Sequence, residues 1–366
     1  MKKILIPFFI AAIFAVVFGG SYFLGKVSKA LVKKENPQES AQSVTALPLE
    51  ENQEKVLSIL LLGYGGPGHD GGTLSDTLIL LYANLETKKV TLISIPRDLW
   101  VPIPYDWDNT AFYKINMAYA MGLDDVRYPN KKPEFRKEAG GGNLAKEVVG
   151  KVTGITAQNF VSVNFEGLTK IIDILGGVEV DVPKTFNDYF YPVKGKENET
   201  CGINASEIAE FHLKYSGFEL EKQFTCRYEN LHFDKGRQVM NGETALKFVR
   251  SRHSSEHGGD FARSERQSAL LTGIKDKAIS FQALGKLNSI LDKVTKNVRT
   301  DLTPTQIQRL FDTLEKHSEY EITNIHLSED NVLRATTGAS GQFILVPKDG
   351  TNNFSGIQKF IFQQMP

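Results

Sequence analysis

The chain has 366 residues, 41% of them hydrophobic, and its 43 basic and 43 acidic residues give a net charge of zero. This size allows an anchoring segment beside one large domain or two small ones, with enough apolar residues for a sizeable core. Domains that track nucleic-acid phosphates carry a large basic excess, so the charge balance argues against nucleic acid as a partner.

The N-terminus has the pattern of a membrane anchor. Residues 4–25 carry no charged side chain and match the length of about 20 residues that crosses a bilayer. The apolar run continues beyond residues 19–21, a weak candidate cleavage site, so we expect an uncleaved single-pass helix and not a signal peptide. Lysines on both sides of the run leave its orientation open. The cysteine pair and the candidate chemistry described below favour a main domain outside the cell membrane. We therefore expect residues 1–3 to lie in the cytoplasm and residues 26–54 to form a flexible polar stalk.

The main domain alternates between predicted strands and helices. Short apolar runs at 56–62, 77–82 and 90–95 are typical of buried strands, and a polar turn joins the last two as a hairpin. Residues 160–165 and 178–182 predict two more strands, which we expect to be parallel because a helical segment separates them. The predicted fold is therefore α/β, with helices covering a central, mostly buried mixed sheet as an α-β-α sandwich.

A polar, aromatic-rich insertion at about 187–234 contains both cysteines of the chain, Cys201 and Cys226. If they pair, they close a loop of about 25 residues and stabilise it by roughly 3 kcal/mol. An oxidising compartment outside the membrane favours the disulfide, and two unrelated thiols are the alternative.

The remaining predicted elements complete one large domain and a C-terminal segment. We assign residues 55–302 to the catalytic domain and residues 303–366 to an extension that packs on it or continues it. The predicted helices and strands of these regions are a helix at 143–152, a helix at 241–250, a helix from 260 to about 281, a helix from 303, a strand at 343–346 and a helix or strand at 357–362.

Several polar residues stand where predicted strands end. Residues 63–72 form a glycine-rich turn whose backbone amides could approach a phosphate, although it lacks the P-loop and dinucleotide signatures. Asp76 stands at the mouth of the second strand, where open α/β sheets bind ligands. Arg97 follows the third strand and offers a planar fork for phosphate oxygens. Lys114 and Asn116 stand at the start of a predicted helix. A surface loop, a turn and a surface ion pair are the structural alternatives for these features.

The densest group of cations lies across one predicted turn. Guanidinium groups brought together there repel each other unless an anion balances them, and a pyrophosphate suits their bidentate hydrogen bonding. Solvated helix ends are the alternative. The cations of this group are Arg250, Arg252, Arg263 and Arg266, and Gln267 lies on the same predicted helix face as Arg263 and Arg266.

A strand-mouth acid and a distant arginine cluster together suggest phosphoryl chemistry. Mg²⁺, or Mn²⁺, bound to Asp76 would bridge the phosphates, and the arginines would stabilise charge on the departing phosphate. Such chemistry requires that Arg97 and the Arg250/Arg263 group converge with Asp76 at one edge of the sheet. No Ser-His-Asp or zinc-ligand spacing is apparent.

The order and spacing of these motifs resemble the LytR-CpsA-Psr family of cell-wall ligases. The similarity covers about residues 56–279, and each motif alone is weak. The motifs are LLLGYG (60–65), SDT (75–77), SIPRD (94–98), KINMAY (114–119), RSRH (250–253) and DFARSERQ (260–267).

The resemblance implies transfer of a glycopolymer from a polyprenyl-pyrophosphate carrier to peptidoglycan, with a phosphodiester formed on a muramic acid sugar. It implies that Asp76 is a Mg²⁺-linked acid and that the prenyl chain lies between sheet and helices. The residues that the resemblance assigns to the pyrophosphate are Arg97, Lys114, Arg250, Arg252, Arg263 and Gln267, with Asp76, Arg97, Arg250 and Arg252 as the catalytic set.

The chain departs from the family pattern at three positions. Gly65 stands where an acid is usual, and Leu74 and Val101 stand where arginines are common. We hypothesise that His69 or Asp70 supplies the missing metal contact. Two other functions remain open: a prenyl-pyrophosphate hydrolase, and a non-catalytic module that binds the lipid carrier.

Overall fold

The structure is a computed structural model, and it describes most of the chain beyond the N-terminal segment. The predicted anchor at 4–25 and the predicted stalk at 26–54 lie outside the described residues, as does Asp70. No helix within the described ranges is long and apolar enough to cross a membrane. The described residues are 55–69, 71–280, 296–303, 306 and 321–365.

The chain divides into two compact units, one of Met1–Gly176 with Ile274–Pro366 and one of Gly177–Gly273. The strands of the described residues are β1 Val56–Tyr64, β2 Ser75–Asn84, β3 Lys89–Ser94, β4 Trp100–Pro104, β5 Thr110–Lys114, β6 Asn159–Asn164, β7 Val178–Val182, β8 Phe186–Pro192, β9 Tyr228–Phe233, β10 Gly236–Met240, β11 Val298–Thr300, β12 Glu321–His326, β13 Leu333–Thr337 and β14 Phe343–Pro347. The α-helices are α1 Met117–Leu123, α2 Lys137–Thr153, α3 Phe165–Ile174, α4 Ala205–Lys214, α5 Gly217–Glu221, α6 Gly242–Arg250, α7 Gly259–Ser280 and α8 Ser355–Gln364.

The first unit is built around a six-stranded sheet in the order β11-β6-β1-β2-β3-β12. Strand β2 pairs antiparallel with both β1 and β3. Strand β6 pairs parallel with β1, and β12 pairs parallel with β3. The sheet is therefore mixed, as predicted. The three predicted strands at its centre and the hairpin between β2 and β3 are confirmed.

Both faces of this sheet are buried, which explains the continuous apolar runs. Successive residues of a strand point to opposite faces. Leu60, Leu80 and Ile93 lie opposite one another on one face and are fully buried. Ile59 and Leu81 pair on the other face, and each is 1% exposed. Burial of each such side chain stabilises the fold by about 1.5–3 kcal/mol. A mostly buried sheet is thus confirmed, and the α-β-α layer order stays a prediction.

Helix α2 starts six residues before the helix predicted at 143–152 and runs through three consecutive glycines. These glycines permit close packing. A Cβ on Gly142 would lie 2.2 Å from the ring of Phe160 in β6, and one on Gly140 would lie 2.4 Å from the carbonyl oxygen of Gly122 in α1. The poor helix propensity of glycine is therefore overridden by the closeness of the neighbouring elements.

The prediction that strands 160–165 and 178–182 form a parallel pair is wrong. Strand β6 joins the central sheet beside β1, whereas β7 pairs antiparallel with β10 in a separate two-stranded sheet. After α3 the chain turns at Gly176 and Gly177, whose φ angles of 76° and 90° suit glycine. In β7 the alternate residues Glu179 and Asp181 are exposed, as in a strand with only one buried face.

The C-terminal segment contributes to the first unit at several points. Strand β12 forms the edge of the central sheet beside β3, and β14 pairs with β13. Leu345 of β14 donates its backbone N–H to the carbonyl of Asp98 at 3.0 Å. Ile357 and Ile361 of α8 are buried in the same core as the central strands. The predicted strand at 343–346 is confirmed, the segment at 357–362 is helical, and the helix predicted from 303 lies largely outside the described residues.

The second unit contains the segment predicted as an insertion. Strands β8 and β9 pair antiparallel, and the rings of Phe186, Phe233 and Phe248 pack together with centroids 5.2–6.1 Å apart. Cys201 and Cys226 form a disulfide with their Cα atoms 5.5 Å apart. The small apolar core and the covalent link together hold a segment that is rich in polar residues.

Candidate functional site

Four charged side chains of the first unit form a continuous chain of ion pairs. Arg97 donates from Nη1 to Asp76 Oδ1 at 2.5 Å and from Nε to Asp98 Oδ2 at 3.4 Å. Lys114 Nζ donates to Asp98 Oδ1 at 2.6 Å. We call Asp76, Arg97, Asp98 and Lys114 the charge chain. The structure thus brings together three predicted site residues and adds Asp98, the last residue of the SIPRD motif, for which the sequence predicts no role.

Strand pairing explains why these residues meet. Strands β2 and β3 are antiparallel, so the start of β2 and the end of β3 lie at the same edge of the sheet. Backbone bonds continue this pairing past β3, where Asn116 donates to the carbonyl of Arg97 at 3.3 Å and accepts from Ser75 at 3.2 Å. Lys114 is the last residue of β5 and not the start of a helix, since α1 begins at Met117.

Exposure divides the charge chain into a buried centre and accessible ends. The side chain of Asp98 is 9% exposed, whereas those of Arg97 and Lys114 are each 27% exposed and that of Asp76 is 35% exposed. A buried carboxylate needs compensating charge, and two cations supply it here. Asp98 therefore fixes Arg97 and Lys114, and Asp76 is the carboxylate most open to a ligand.

The glycine-rich turn folds back over the position just after β1. Gly66 donates its N–H to the carbonyl of Gly72 at 2.7 Å, and a Cβ on Gly65 would lie 2.9 Å from Cβ of His69. The His69 ring packs edge-on against Phe165 with centroids 5.2 Å apart. His69 thus takes the space that a side chain at position 65 would need. Its metal contact stays a prediction, and across the described ranges no group of three His, Cys, Asp or Glu side chains could hold a metal ion.

Residues 251–258 of the second unit connect α6 to α7, and together with Arg250 at the end of α6 we call them the arginine loop. Helix α6 begins where the Asn241 side chain accepts the N–H of Thr244 at 2.8 Å, and it ends at Arg250. Arg250 Nη1 donates to the hydroxyl of Tyr191 at 3.2 Å, and its guanidinium lies 5.7 Å from the centre of that ring. Burial raises the pKa of Tyr191, so its hydroxyl stays protonated at neutral pH.

The other predicted cations of this unit differ in their surroundings. Arg263 is buried in α7, one helical turn before Gln267, which is half-buried. Arg252 lies two residues beyond the end of α6 and is half-buried. These residues and the charge chain belong to different units, and their convergence stays a prediction.

Arg266 does not serve as a ligand-facing member of the predicted cluster. Its side chain is fully buried, and its guanidinium donates to the backbone carbonyls of Phe248, Ser251 and His257. Burial lowers the pKa of Arg266 to about 10, so it remains a cation at neutral pH. The expectation that all the arginines balance an external anion is therefore wrong for Arg266, whose donors are used within the protein.

The sequence of this chain matches a known protein family. The family model of the LytR_cpsA_psr family matches residues 21–349. The chain is a member of the LytR-CpsA-Psr family. Among LytR-CpsA-Psr relatives, the polyisoprenyl-teichoic acid–peptidoglycan teichoic acid transferase TagU of Oceanobacillus iheyensis is 29% identical over 312 residues, which cover 83% of this chain and 79% of that protein.

Solved structures support the fold of this LytR-CpsA-Psr protein. The crystal structure of Bacillus subtilis TagV superposes with a TM-score of 0.55 at 23% identity and covers 85% of this chain and 97% of that chain. A structure of TagT bound to LI-WTA gives a TM-score of 0.53 at 20% identity and covers 88% of this chain and 96% of that chain. At these identities the likeness concerns the fold alone.

The structure accounts for the departures from the LytR-CpsA-Psr pattern. Val101 is fully buried in β4, so an arginine there would put a charge into the core. Leu74 folds over the glycine-rich turn, where its Cδ1 would lie 2.8 Å from a Cβ on Gly71. With His69 above Gly65, all three departures fit a tightly packed turn and core at this end of the sheet.

Proposed function

We propose that the protein is a phosphotransferase that moves a glycopolymer from a polyprenyl-pyrophosphate carrier to peptidoglycan during cell-wall assembly. The charge chain is the observation that carries this proposal, because it holds a cationic fork and an accessible carboxylate side by side at a strand mouth. Family membership and the TagU relative, named for transfer of teichoic acid to peptidoglycan, support the choice of substrate class.

The reaction exchanges a phosphoanhydride bond of the carrier for a new phosphate ester bond to the acceptor sugar. A sugar hydroxyl of peptidoglycan attacks the phosphorus atom that bears the glycopolymer, and a new O–P bond forms. The bond from that phosphorus to the bridging oxygen of the pyrophosphate breaks, and the polyprenyl monophosphate leaves with the bond's electron pair. The hydroxyl proton passes to solvent. Negative charge therefore grows on the leaving phosphate, and positive groups that face it lower the barrier.

The charge chain supplies one set of such groups. Arg97 presents a planar fork that suits two phosphate oxygens, and Asp98 restricts its rotation through the Nε contact. Lys114 adds a second cation that the same carboxylate holds in place. Because Asp98 is buried, these positions exist before substrate binds, and little reorganisation is needed at the moment of reaction.

The arginine loop and the adjoining start of α7 supply the other set. Arg250, Arg252 and Arg263 are assigned to the pyrophosphate with Gln267 beside them, as the family motif implies. Arg250 donates to the Tyr191 hydroxyl, and its guanidinium lies over the Tyr191 ring. An aromatic face and a hydroxyl both stabilise a guanidinium without neutralising its charge.

Mg²⁺, or Mn²⁺, fits the residues around Asp76. Mg²⁺ sites that act on phosphates commonly use one or two carboxylates and take their other ligands from substrate and water. Asp76 provides one accessible carboxylate, 35% exposed, and its donor atoms are the hard oxygens that this ion prefers. When bound, the cation would neutralise phosphate oxygens.

We further propose that residues 4–25 anchor the protein in the cell membrane and that the domain lies on its outer side. The uncharged run of residues 4–25 and the disulfide support this placement. A lipid-linked carrier and peptidoglycan would both be within reach of a domain held there.

Transfer should be measured with the full chain in detergent micelles, given a polyprenyl-pyrophosphate-linked glycopolymer and peptidoglycan. Asp76→Asn and Arg97→Gln should each slow transfer on the order of a hundredfold. Asp108→Asn and Arg127→Gln are matched controls in the same unit, since Asp108 is exposed and the Arg127 side chain is 83% exposed. Control variants should retain wild-type rates.

Two results would replace this function with another. Release of phosphate from the lipid substrate at an equal rate without peptidoglycan would identify a hydrolase. Full complementation of a deletion strain by Asp76→Ala and Arg97→Ala variants would identify a module that binds the carrier without catalysis.

A further inference from the structure

We propose that Asp188 and Arg266 are positioning residues, which hold the arginine loop in the conformation that presents Arg250 and Arg252 to the substrate pyrophosphate. The role rests on the proposed function, because it assumes that these arginines bind a diphosphate. Asp188 lies in the polar segment at 187–234, for which the sequence predicts no function.

Asp188 binds the first half of the arginine loop. Its side chain is 1% exposed, and its Oδ2 accepts from Ser251 Oγ at 2.6 Å and from the backbone N–H groups of Arg252 and His253 at 3.0 and 3.1 Å. Its Oδ1 accepts the N–H of Phe190 at 3.0 Å, which ties the carboxylate to its own strand. One oxygen atom therefore gathers three donors from consecutive residues of the loop.

Arg266 binds the carbonyl groups of the loop, whereas Asp188 binds its N–H groups. Its guanidinium donates to carbonyls before, within and near the end of the loop, those of Phe248, Ser251 and His257. The guanidinium also lies 4.8 Å from the centre of the Phe186 ring. Buried backbone groups of an irregular loop have no helix or sheet partner, and charged partners give the strongest replacement hydrogen bonds.

The backbone of Arg252 is fixed on both sides by this arrangement. Its N–H is held by Asp188, and its carbonyl accepts the N–H of Gly259 at 3.2 Å. A Cβ on Gly258 would lie 2.1 Å from the carbonyl oxygen of Ser254, so the turn that closes the loop is tight. The base of the Arg252 side chain thus has one position, as a site that must align several cations with one anion requires.

Binding of geranylgeranyl diphosphate to the full chain in detergent micelles tests the role, with titration calorimetry as the readout. Asp188→Asn keeps the shape of the side chain but removes its charge and places an N–H₂ group against one of the donors. We expect the dissociation constant to rise on the order of tenfold to a hundredfold. Asp181→Asn is the matched control, since Asp181 is an exposed carboxylate on β7 of the same unit; its dissociation constant should match the wild type.

A double-mutant cycle separates positioning from loss of fold. If Asp188 acts through Arg252, then Asp188→Asn should change the dissociation constant by less than about threefold in an Arg252→Gln background. An equal loss in both backgrounds would overturn the proposal, as would wild-type affinity of the single Asp188→Asn variant. Ser251→Ala removes one of the three bonds and should give a smaller loss of affinity, which keeps the test valid if Asp188→Asn does not fold.

Hydrogen exchange of the same proteins distinguishes this proposal from the function on which it rests. Asp188→Asn should speed exchange in peptides covering residues 251–257 and leave peptides from β1 and β2 unchanged. If the wild type binds no diphosphate, the proposed function fails, and faster exchange confined to 251–257 still supports the positioning of the loop. Unchanged exchange at 251–257 would overturn it whatever the wild type binds.

Discussion

Replacement of Gly142 by alanine sets two opposing effects against each other in one helix. Alanine is favoured over glycine inside a helix by about 1 kcal/mol. At this position, however, a Cβ would lie 2.2 Å from the ring of Phe160, whose side chain is fully buried. Carbon atoms in contact normally lie about 3.5–4.0 Å apart. The buried ring cannot move into solvent, so α2 or β6 must shift.

Such overpacking costs about 1–3 kcal/mol, and a contact this short belongs at the upper end. Subtracting the gain in helix propensity leaves an expected net loss of about 2 kcal/mol for Gly142→Ala. Gly150 of the same helix is the matched control, because a Cβ there would meet no atom nearer than 3.6 Å. Gly150→Ala should therefore stabilise the fold by about 1 kcal/mol.

Equilibrium unfolding of the full chain by urea in detergent micelles measures both effects. The free energy of unfolding should fall for Gly142→Ala and rise for Gly150→Ala, with little change in the dependence on urea. If Gly142→Ala were as stable as Gly150→Ala, the close packing of α2 on β6 would be refuted.

Three further predictions concern stability. Asp98→Asn should lower the free energy of unfolding by about 1–2 kcal/mol, less than for a fully buried pair because its cationic partners are 27% exposed; an unchanged urea midpoint would contradict the proposed buried centre. The double variant Cys201→Ser, Cys226→Ser should lose about 3 kcal/mol relative to the oxidised wild type, and a reducing agent should have no further effect on it. The backbone N–H of Glu256 and the Ser254 hydroxyl lower the pKa of the Glu256 carboxyl to about 2. Its contribution to stability is therefore present above pH 4.5 and lost as the pH falls towards 2, so Glu256→Gln should show a flatter dependence of unfolding free energy on pH in that range, and equal slopes would disprove the assignment.

The centre of the fold was predictable because its signals are local. Apolar runs bounded by glycines and polar turns define β1, β2 and β3, and residues 84–89 are too short for anything but a hairpin between the last two. Helix α3 was predictable for a similar reason, since its amphipathic spacing ends at Gly176 and Gly177. The short connection between β2 and β3 gives an antiparallel pair, and the long connection to β6 allows a parallel pair with β1, so the sheet is mixed.

The errors arose where distant partners decide the structure. Strand β7 has the composition of a strand, but no local feature indicates which strand it pairs with. Its partner, β10, lies more than fifty residues later in the chain. The start of α2 was missed because glycines have low helix propensity, and only the nearness of α1 and β6 explains them.

The candidate site shows the same division. Asp76 and Arg97 stand at the ends of strands that a hairpin joins, so their proximity could be predicted from pairing alone. The sequence shows Asp98 as part of the SIPRD motif, but it does not predict that this side chain is buried. Arg266 has the same local pattern as Arg263, and only the fold reveals that it binds carbonyls. For Asp188 the one signal was an acid among aromatic residues, which suggests burial without identifying a partner.

The edge position of β12 has a consequence for how the protein is made. Strand β3 pairs on one side with β2, which precedes it directly, and on the other with β12, which is synthesised much later. A chain that emerges N-terminus first therefore carries an unpaired β3 edge until residues 321–326 have appeared. Exposed strand edges recruit other chains. Nascent or truncated forms that lack β12 should consequently need a chaperone to keep that edge from pairing with other chains.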